Sequence, residues 1–223
     1  MDEMMANDSF LVGDIVYLRK PDIQRDVLEG EWHAWFNDQE ITKYLIHGVF
    51  PISRQDEAKY VEDQVNNKST LLLSIIQKET HKHIGIISLK SIDLINRTAE
   101  IGIVMGSYKV AGAALEAMYL LTSHAFERLN LIRLSAGQHE KLWKWINLLE
   151  LIGYRIEGYR KQAGLRGETY DIVLTGITAD DYYRFKNEKR NPVSFSPENL
   201  SKNRRPENLT LIVRDFLERL YKD

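Results

Sequence analysis

The stretch from Glu100 to Arg128 limits what this chain can fold into more than any other. It opens with an apolar run, Ile101 to Met105, that predicts a strand, and Gly106 and Ser107 end that run. Small residues come next at Ala111, Gly112, Ala113 and Ala114. Then Leu115, Met118, Leu121, Thr122, Ala125 and Phe126 recur at the three-to-four spacing of one buried helical face. A strand that passes through a small-residue turn into a long helix can hold an anion. The first amides of a helix lack internal partners, its dipole is positive there, and small side chains let a phosphate come close. The same residues also suit an ordinary strand-to-helix connection with a closely packed Ala-rich helix, and this stretch taken alone does not choose between the two.

The elements after Arg128 favour the anion site. Leu131 to Ala136 reads as another strand, Glu140 to Leu151 as a short helical segment, and Ile152-Gly153-Tyr154 leads into a strand from Arg155 to Tyr159. This order resembles the GNAT superfamily of acetyl-CoA-dependent N-acetyltransferases over roughly residues 14–179. The acyl-CoA motif of that family, Arg/Gln-x-x-Gly-x-Gly/Ala, is matched by Lys109, Gly112 and Ala114, followed by Glu116-Ala117. Leu148 to Tyr154 is similar to the later Leu-Tyr-Glu-Lys-Leu-Gly-Phe signature, and Ala99 to Ile103 to the approach strand. Two positions depart from the pattern. Lys109 replaces the usual Arg or Gln, which keeps a cation beside phosphate. Leu149 replaces a Tyr that protonates the departing thiolate in many members, so the usual general acid is missing.

The resemblance implies an α+β fold: a central, mostly antiparallel sheet of six to seven strands flanked by helices, with a C-terminal helical extension. It implies acetyl-CoA as cosubstrate, held by the backbone of Ile103, Val104 and Met105 at the thioester and pantetheine arm. Lys109, Val110, Ala111, Gly112, Ala113, Ala114 and Leu115 would surround the pyrophosphate. Glu100, just before the acyl-binding run, is the candidate general base; the alternative is a solvated charge or a pair with Arg97. The thiolate would take its proton from water or from another side chain, for which His139, ending the strand on the other side of the acyl site, and Tyr154 are the candidates.

Along the chain, Asp14 to Arg19 alternates as a first strand, and Pro21-Asp22 starts a helix through Ile23, Val27, Trp32 and Trp35. Ser53 is placed to cap a helix running to about Asn66. Leu71 to Gln77 and His83 to Leu89 predict two strands joined by a polar hairpin, with His81 and His83 exposed; His124 reads as structural. Lys161 to Glu168 predicts a flexible connection, Thr169 to Gly176 a last strand, and Asp180 to Lys186 a short helix. The expected organisation is an acetyltransferase domain over residues 1–186, a Pro-interrupted polar linker over 187–207, and an amphipathic helix over 208–223. That helix carries Leu209, Ile212, Val213, Phe216, Leu217 and Leu220 on one side and needs a surface, either its own domain or a second copy of the chain; a homodimer is the expectation.

The composition sets exclusions. A formal charge of -2 gives no global field for nucleic acid or anionic membrane. Without Cys there is no thiolate ligand or nucleophile, no pair of His has ligand spacing, and no metal is expected. No run reaches membrane-span length and no signal peptide is legible, so a cytoplasmic enzyme is expected.

The acceptor is read from Trp32 to Pro51. This segment resembles members that acetylate the amino group of nucleotide-linked sugars in surface-glycan synthesis, and Trp35, Tyr44, His47 and Phe50 are its candidate substrate residues. Aromatic faces stack on a sugar or a base, though core packing accounts for most Trp and Phe. The rival acceptor is a protein N-terminus, as in the ribosomal-protein branch. A module that binds CoA without catalysis is the reading from a different class, prompted by Leu149.

Overall fold

The computed structural model describes residues 8–45, 48–188, 195–203 and 205–221. One eight-stranded sheet carries the fold, in the order β1-β2-β3-β4-β5-β6-β8-β7. Its strands are β1 (Leu11–Val12), β2 (Val16–Arg19), β3 (Leu71–Gln77), β4 (His83–Asp93), β5 (Thr98–Met105), β6 (Arg133–His139), β7 (Arg155–Arg166) and β8 (Glu168–Thr178). Every neighbouring pair is antiparallel except β5 and β6, which run parallel. The crossover between those two is α5 (Ala113–Glu127). The sheet exceeds the expected six to seven strands because the short edge strand β1 joins it.

The two faces of the sheet carry separate cores. Leu73, Ile75, Ile87, Leu89, Ala99, Ile101, Leu134 and Ile177 point to one face, against Leu115, Met118, Leu121 and Phe126 of α5. Leu72 and Ile86 point to the other, against Val27, Trp32, Trp35, Phe36 and Val61. These last residues sit on α1 (Ile23–Leu28), α2 (Trp32–Asn37) and α4 (Arg54–Asn66); a single turn, α3 (Gln39–Thr42), comes after α2. Burial on both faces is why β3 is apolar at consecutive positions, Leu71 to Leu73 and Ile75-Ile76 around Ser74, rather than alternating. On the α5 face, buried Glu116 accepts three backbone N–H bonds at 2.8 Å each, from Asp14, Ile15 and Val16, and so ties α5 to the start of β2.

Several elements differ from the sequence reading. The helix expected through Ile23 and Trp35 is broken at Gly30, where a Cβ would lie 2.3 Å from the Asp26 carbonyl oxygen. α1 is a wide turn with the Glu29 N–H on the Gln24 carbonyl. His83 is not exposed: β4 turns it inward, between the rings of Trp32 and Trp35 at 5.5 and 4.9 Å. The stretch expected as a connection, Lys161 to Glu168, continues β7 and turns at Gly167 (φ 76): after a register shift between Arg160 and Gly164, Gly164 to Arg166 pair with Tyr170 to Glu168 of β8. The Ser53 cap is present, accepting from the Asp56 N–H at 3.1 Å.

Beyond β8 come α7 (Ala179–Glu188), α8 (Pro197–Asn203) and α9 (Leu209–Leu220). Phe195 is 5% exposed and belongs to the α5-face core, so part of the polar stretch is packed against the domain. α9 lies against β7 and α6 (Trp143–Leu149). Asn147 donates to the Glu207 carbonyl at 2.6 Å, the Tyr159 hydroxyl donates to the Thr210 carbonyl, and Lys161 meets Glu218 at 3.3 Å.

Candidate active site

β5 and β6 pair only from Thr98–Arg133 to Glu100–Ser135. Past that point the strands part. A cavity of about 870 Å³ opens there, and consecutive residues of one strand line it: Ile101, Gly102, Ile103 and Val104 on β5, and Ser135 to His139 on β6. Consecutive side chains of a strand face opposite sides of a sheet. Both parities therefore line a single cavity only if it passes through the sheet, between the parted strands. On the α5 face it is lined by buried Met118 and Thr175 with Leu142 and Trp145, and on the α4 face its mouth lies among Tyr44, Asp56, Glu57, Tyr60 and Lys90.

The turn into α5 follows the end of β5; the cavity lining takes only Met118 from α5 and none of Lys109 to Leu115. Gly112, the N-cap, has φ +82, and no side chain caps the helix. The first-turn amides of Ala114 and Leu115 precede the first main-chain bond of the helix, from the Glu116 N–H to the Gly112 carbonyl at 2.9 Å, and no side chain accepts from them. Lys109 lies in this turn and donates to the Gly106 carbonyl at 2.9 Å. An uncapped turn, freed backbone on Ile103 and Val104, and a channel through the sheet together fit a phosphate-bearing thioester with a long narrow arm. Met105 ends β5, paired with Gly85.

Glu100 stands at the last paired position before the strands part, between Lys90 and Ser135 on the same face. It is exposed to the cavity and forms no ion pair with Arg97, which donates to Asn130 at 2.7 Å through both Nε and Nη2. His139 lies between the rings of Tyr44 and Tyr170, at 4.7 and 4.6 Å. Its Nδ1 accepts the Lys141 N–H at 3.1 Å, so the neutral ring carries its proton on Nε2. Burial lowers its pKa, with Glu140 opposing. A neutral ring with Nδ1 engaged is a hydrogen-bond donor at Nε2 and a poor proton shuttle. Tyr154 is fully buried outside the cavity, bonded to Thr122 at 2.8 Å, and burial raises its pKa, so it supplies no proton there. Leu149 is equally buried in the core.

The acceptor residues divide. Tyr44 lines the cavity. Trp35, 2% exposed, packs in the aromatic core over Gly106, where a Cβ would meet its ring at 2.4 Å; it is a core residue instead. Phe50 is 78% exposed and outside the cavity lining. His47 lies outside the described residues. Residues that the sequence reading did not single out do line the cavity. Glu57 is buried at the start of α4 with its pKa raised by burial, partly offset by the Trp32 indole. Lys90 reaches the Tyr60 hydroxyl at 3.4 Å, and Tyr170 stacks on His139. The only prior signal for Glu57 was its place in the first turn after the Ser53 cap. No group of metal-binding side chains occurs among the described residues.

The sequence profile of the acetyltransferase (GNAT) domain matches residues 16–155. An uncharacterized N-acetyltransferase, p20, of Bacillus licheniformis is 30% identical over 172 residues, which cover 74% of this chain and 93% of that protein. Spermidine N-acetyltransferase from Vibrio cholerae, solved with CoA and spermine, superposes with a TM-score of 0.69 at 19% identity, over 77% of this chain and 99% of that one. A GCN5-related N-acetyltransferase from Brucella melitensis gives 0.68 at 22% identity, over 92% and 93%.

Proposed function

The chain belongs to the GNAT acetyltransferase family and is an acetyl-CoA-dependent N-acetyltransferase, and from that premise we propose that its acceptor is the amino group of a nucleotide-linked amino sugar. The observation that carries this reading is the through-sheet cavity. Its 870 Å³ is the scale of a small-molecule site rather than of an open groove for a protein chain. Its α4-face mouth combines Tyr44 and Tyr170, which suit stacking on a sugar or base, with Lys90 and Arg160, which suit phosphate.

In this reading acetyl-CoA enters from the α5 face and supplies the activated acyl group. The backbone of Ile103 and Val104 positions it, and the amides of Ala114 and Leu115 face the pyrophosphate. The acceptor enters from the α4 face. Its nitrogen attacks the carbonyl, a C–N bond forms and the C–S bond breaks. Glu100, at the fork of β5 and β6, takes the ammonium proton directly or through water. The thiolate is protonated by water, since Leu149 and Tyr154 offer no acid. His139 holds Tyr44 and Tyr170 in place and offers its Nε2–H to the acceptor. Glu100→Gln should then lower kcat about tenfold to a hundredfold with CoA affinity unchanged, read by steady-state kinetics and calorimetry.

A second reading, a polyamine acceptor, is favoured by Asp56, Glu57 and Glu100 in the cavity wall. Thiol release over a panel of nucleotide-linked amino sugars, spermidine and a peptide N-terminus tests both. The sugar reading predicts the highest kcat/KM for the sugar nucleotides; preference for spermidine or the peptide overturns it. We assign the reaction to the cytoplasm, where acetyl-CoA is made; no described helix is long and apolar enough to cross a membrane. The homodimer reading rests on α9, whose Ile212, Phe216 and Leu220 recur every fourth residue and stay more than half exposed. Phe216→Asp should lower the sedimentation mass if a second copy covers that stripe.

A further inference from the structure

We propose that the segment carrying Phe195 and α8 is a strap that holds the acetyl-CoA phosphate turn in its binding conformation, with Phe195 as the positioning residue. The proposal rests on the acetyltransferase reading and concerns residues beyond the matched profile, which ends at 155.

Gly112 adopts φ +82, and a Cβ on that backbone would lie 2.2 Å from the Phe195 carbonyl oxygen and 2.9 Å from Ile15 Cδ1. The main chain at Phe195 therefore lies directly against the turn. The Phe195 ring is buried and sits 5.6 Å from the ring of Tyr119, two helical turns further along α5. Tyr119 is in turn 6.4 Å from Phe185 of α7, and Leu200 of α8 packs on the same core. One short segment thus touches both the N-cap of α5 and the body of that helix.

The physical reason for a strap lies in the glycine. Gly permits the left-handed conformation but does not hold it, because it visits many others as readily. The turn itself contributes the Ala113 N–H on the Val110 carbonyl, at a long 3.3 Å, and the Lys109 contact to Gly106 at 2.9 Å. Packing from Phe195 and Ile15 restricts Gly112 to the left-handed conformation with which the turn enters α5. If the turn relaxes, the competent fraction falls and the apparent dissociation constant for CoA rises in proportion.

The test uses the full-length chain with Phe195→Ala. The expected result is a rise of about tenfold in both the acetyl-CoA KM and the calorimetric dissociation constant of CoA, with kcat and acceptor KM within about twofold of wild type. Hydrogen exchange at the Ala113 to Leu115 amides should quicken in the CoA-free variant, while exchange in α9 stays unchanged. Phe195→Leu should restore most of the affinity. Unchanged CoA affinity in folded Phe195→Ala protein overturns the strap, and tighter binding shows that the segment obstructs the turn instead. If Phe195→Ala does not fold, the same reading applies to the smaller truncation Phe195→Val. Absence of CoA binding by the wild-type chain would sink the acetyltransferase reading itself, a result distinct from a variant that binds as the wild type does.

Discussion

On the α5 face the sheet rests on a continuous aliphatic core, and Glu116, the buried carboxylate that ties this face together, is satisfied by three backbone amides. On the α4 face the core is smaller and aromatic, and it contains a buried ion pair. Arg19 donates to both oxygens of Asp26 at 2.8 and 2.6 Å, Ser74 donates to Asp26 at 2.7 Å, and His83 lies 3.8 Å away. Under the proposed function the first face presents backbone groups to the cosubstrate and the second presents side chains to the acceptor. A face that binds through amides tolerates sequence drift, whereas one that binds through side chains is rewritten with its substrate.

The largest way to break this contrast is Asp26→Ala. It removes the bidentate partner of the buried Arg19 guanidinium, which keeps Asp8 at 3.4 Å and the Lys20 carbonyl at 3.0 Å, and should cost about 3 kcal/mol in urea unfolding, the low end for a broken buried pair. If the cost is under about 1 kcal/mol, the α4 face is not held by its ion pair.

Acid should act on the same face. Burial, with Arg19, pushes the His83 pKa down to about 4 against Asp26 and Glu31, while the unfolded chain titrates near 6.5. Between those values the unfolded state binds the extra proton, so stability falls as pH drops from about 6.5 to about 4, by about 3 kcal/mol in all. Below that, protonation of Asp26 continues the loss: burial alone would raise its pKa, but the Arg19 hydrogen bonds and nearby positive charge hold it below the usual carboxylate value. His83→Gln should flatten the slope above pH 4; an unchanged slope would assign it to other groups.

Glu116→Gln sharpens the contrast from the other side. One of the three amides facing the new side chain meets an N–H donor instead of an acceptor, at a cost of about 1–3 kcal/mol. The expected thermal-shift loss comes with weaker CoA binding, since Glu116 lies in the first turn of α5, and with an unaltered acceptor KM.

The smallest effect is expected from Tyr154→Phe, which removes one buried hydrogen bond to Thr122 and should cost about 1 kcal/mol. Its pH–rate profile should match wild type, because Tyr154 does not touch the cavity. A shifted acidic or basic limb would restore it as the thiolate's proton donor.

The strand, turn and helix around Gly112 were legible in the sequence, because Ile101 to Met105, Gly112 and the periodic α5 residues mark them by spacing among near neighbours. Glu100 was legible for the same reason, by its register just before the strands part. Trp35 and Phe50 were not, because aromatic residues read alike whether they line a cavity, fill a core or stand in solvent. His83 was misplaced because a His beside Lys82 and His81 reads as a polar hairpin, while the bulge after Ile75 fixes the register that turns it inward.

The sequence by itself determined the fold class, the crossover from β5 to β6, and the glycine at the N-cap of α5, since each depends on spacing along a few neighbouring residues. Only the tertiary structure decided that Tyr44, Glu57, Lys90, Glu100, His139 and Tyr170 share one cavity, and that Phe195 closes on Gly112 from 83 positions away. Those meetings depend on how strands part and segments return across the sheet. No local periodicity encodes that, because it is settled by which surfaces must be buried together.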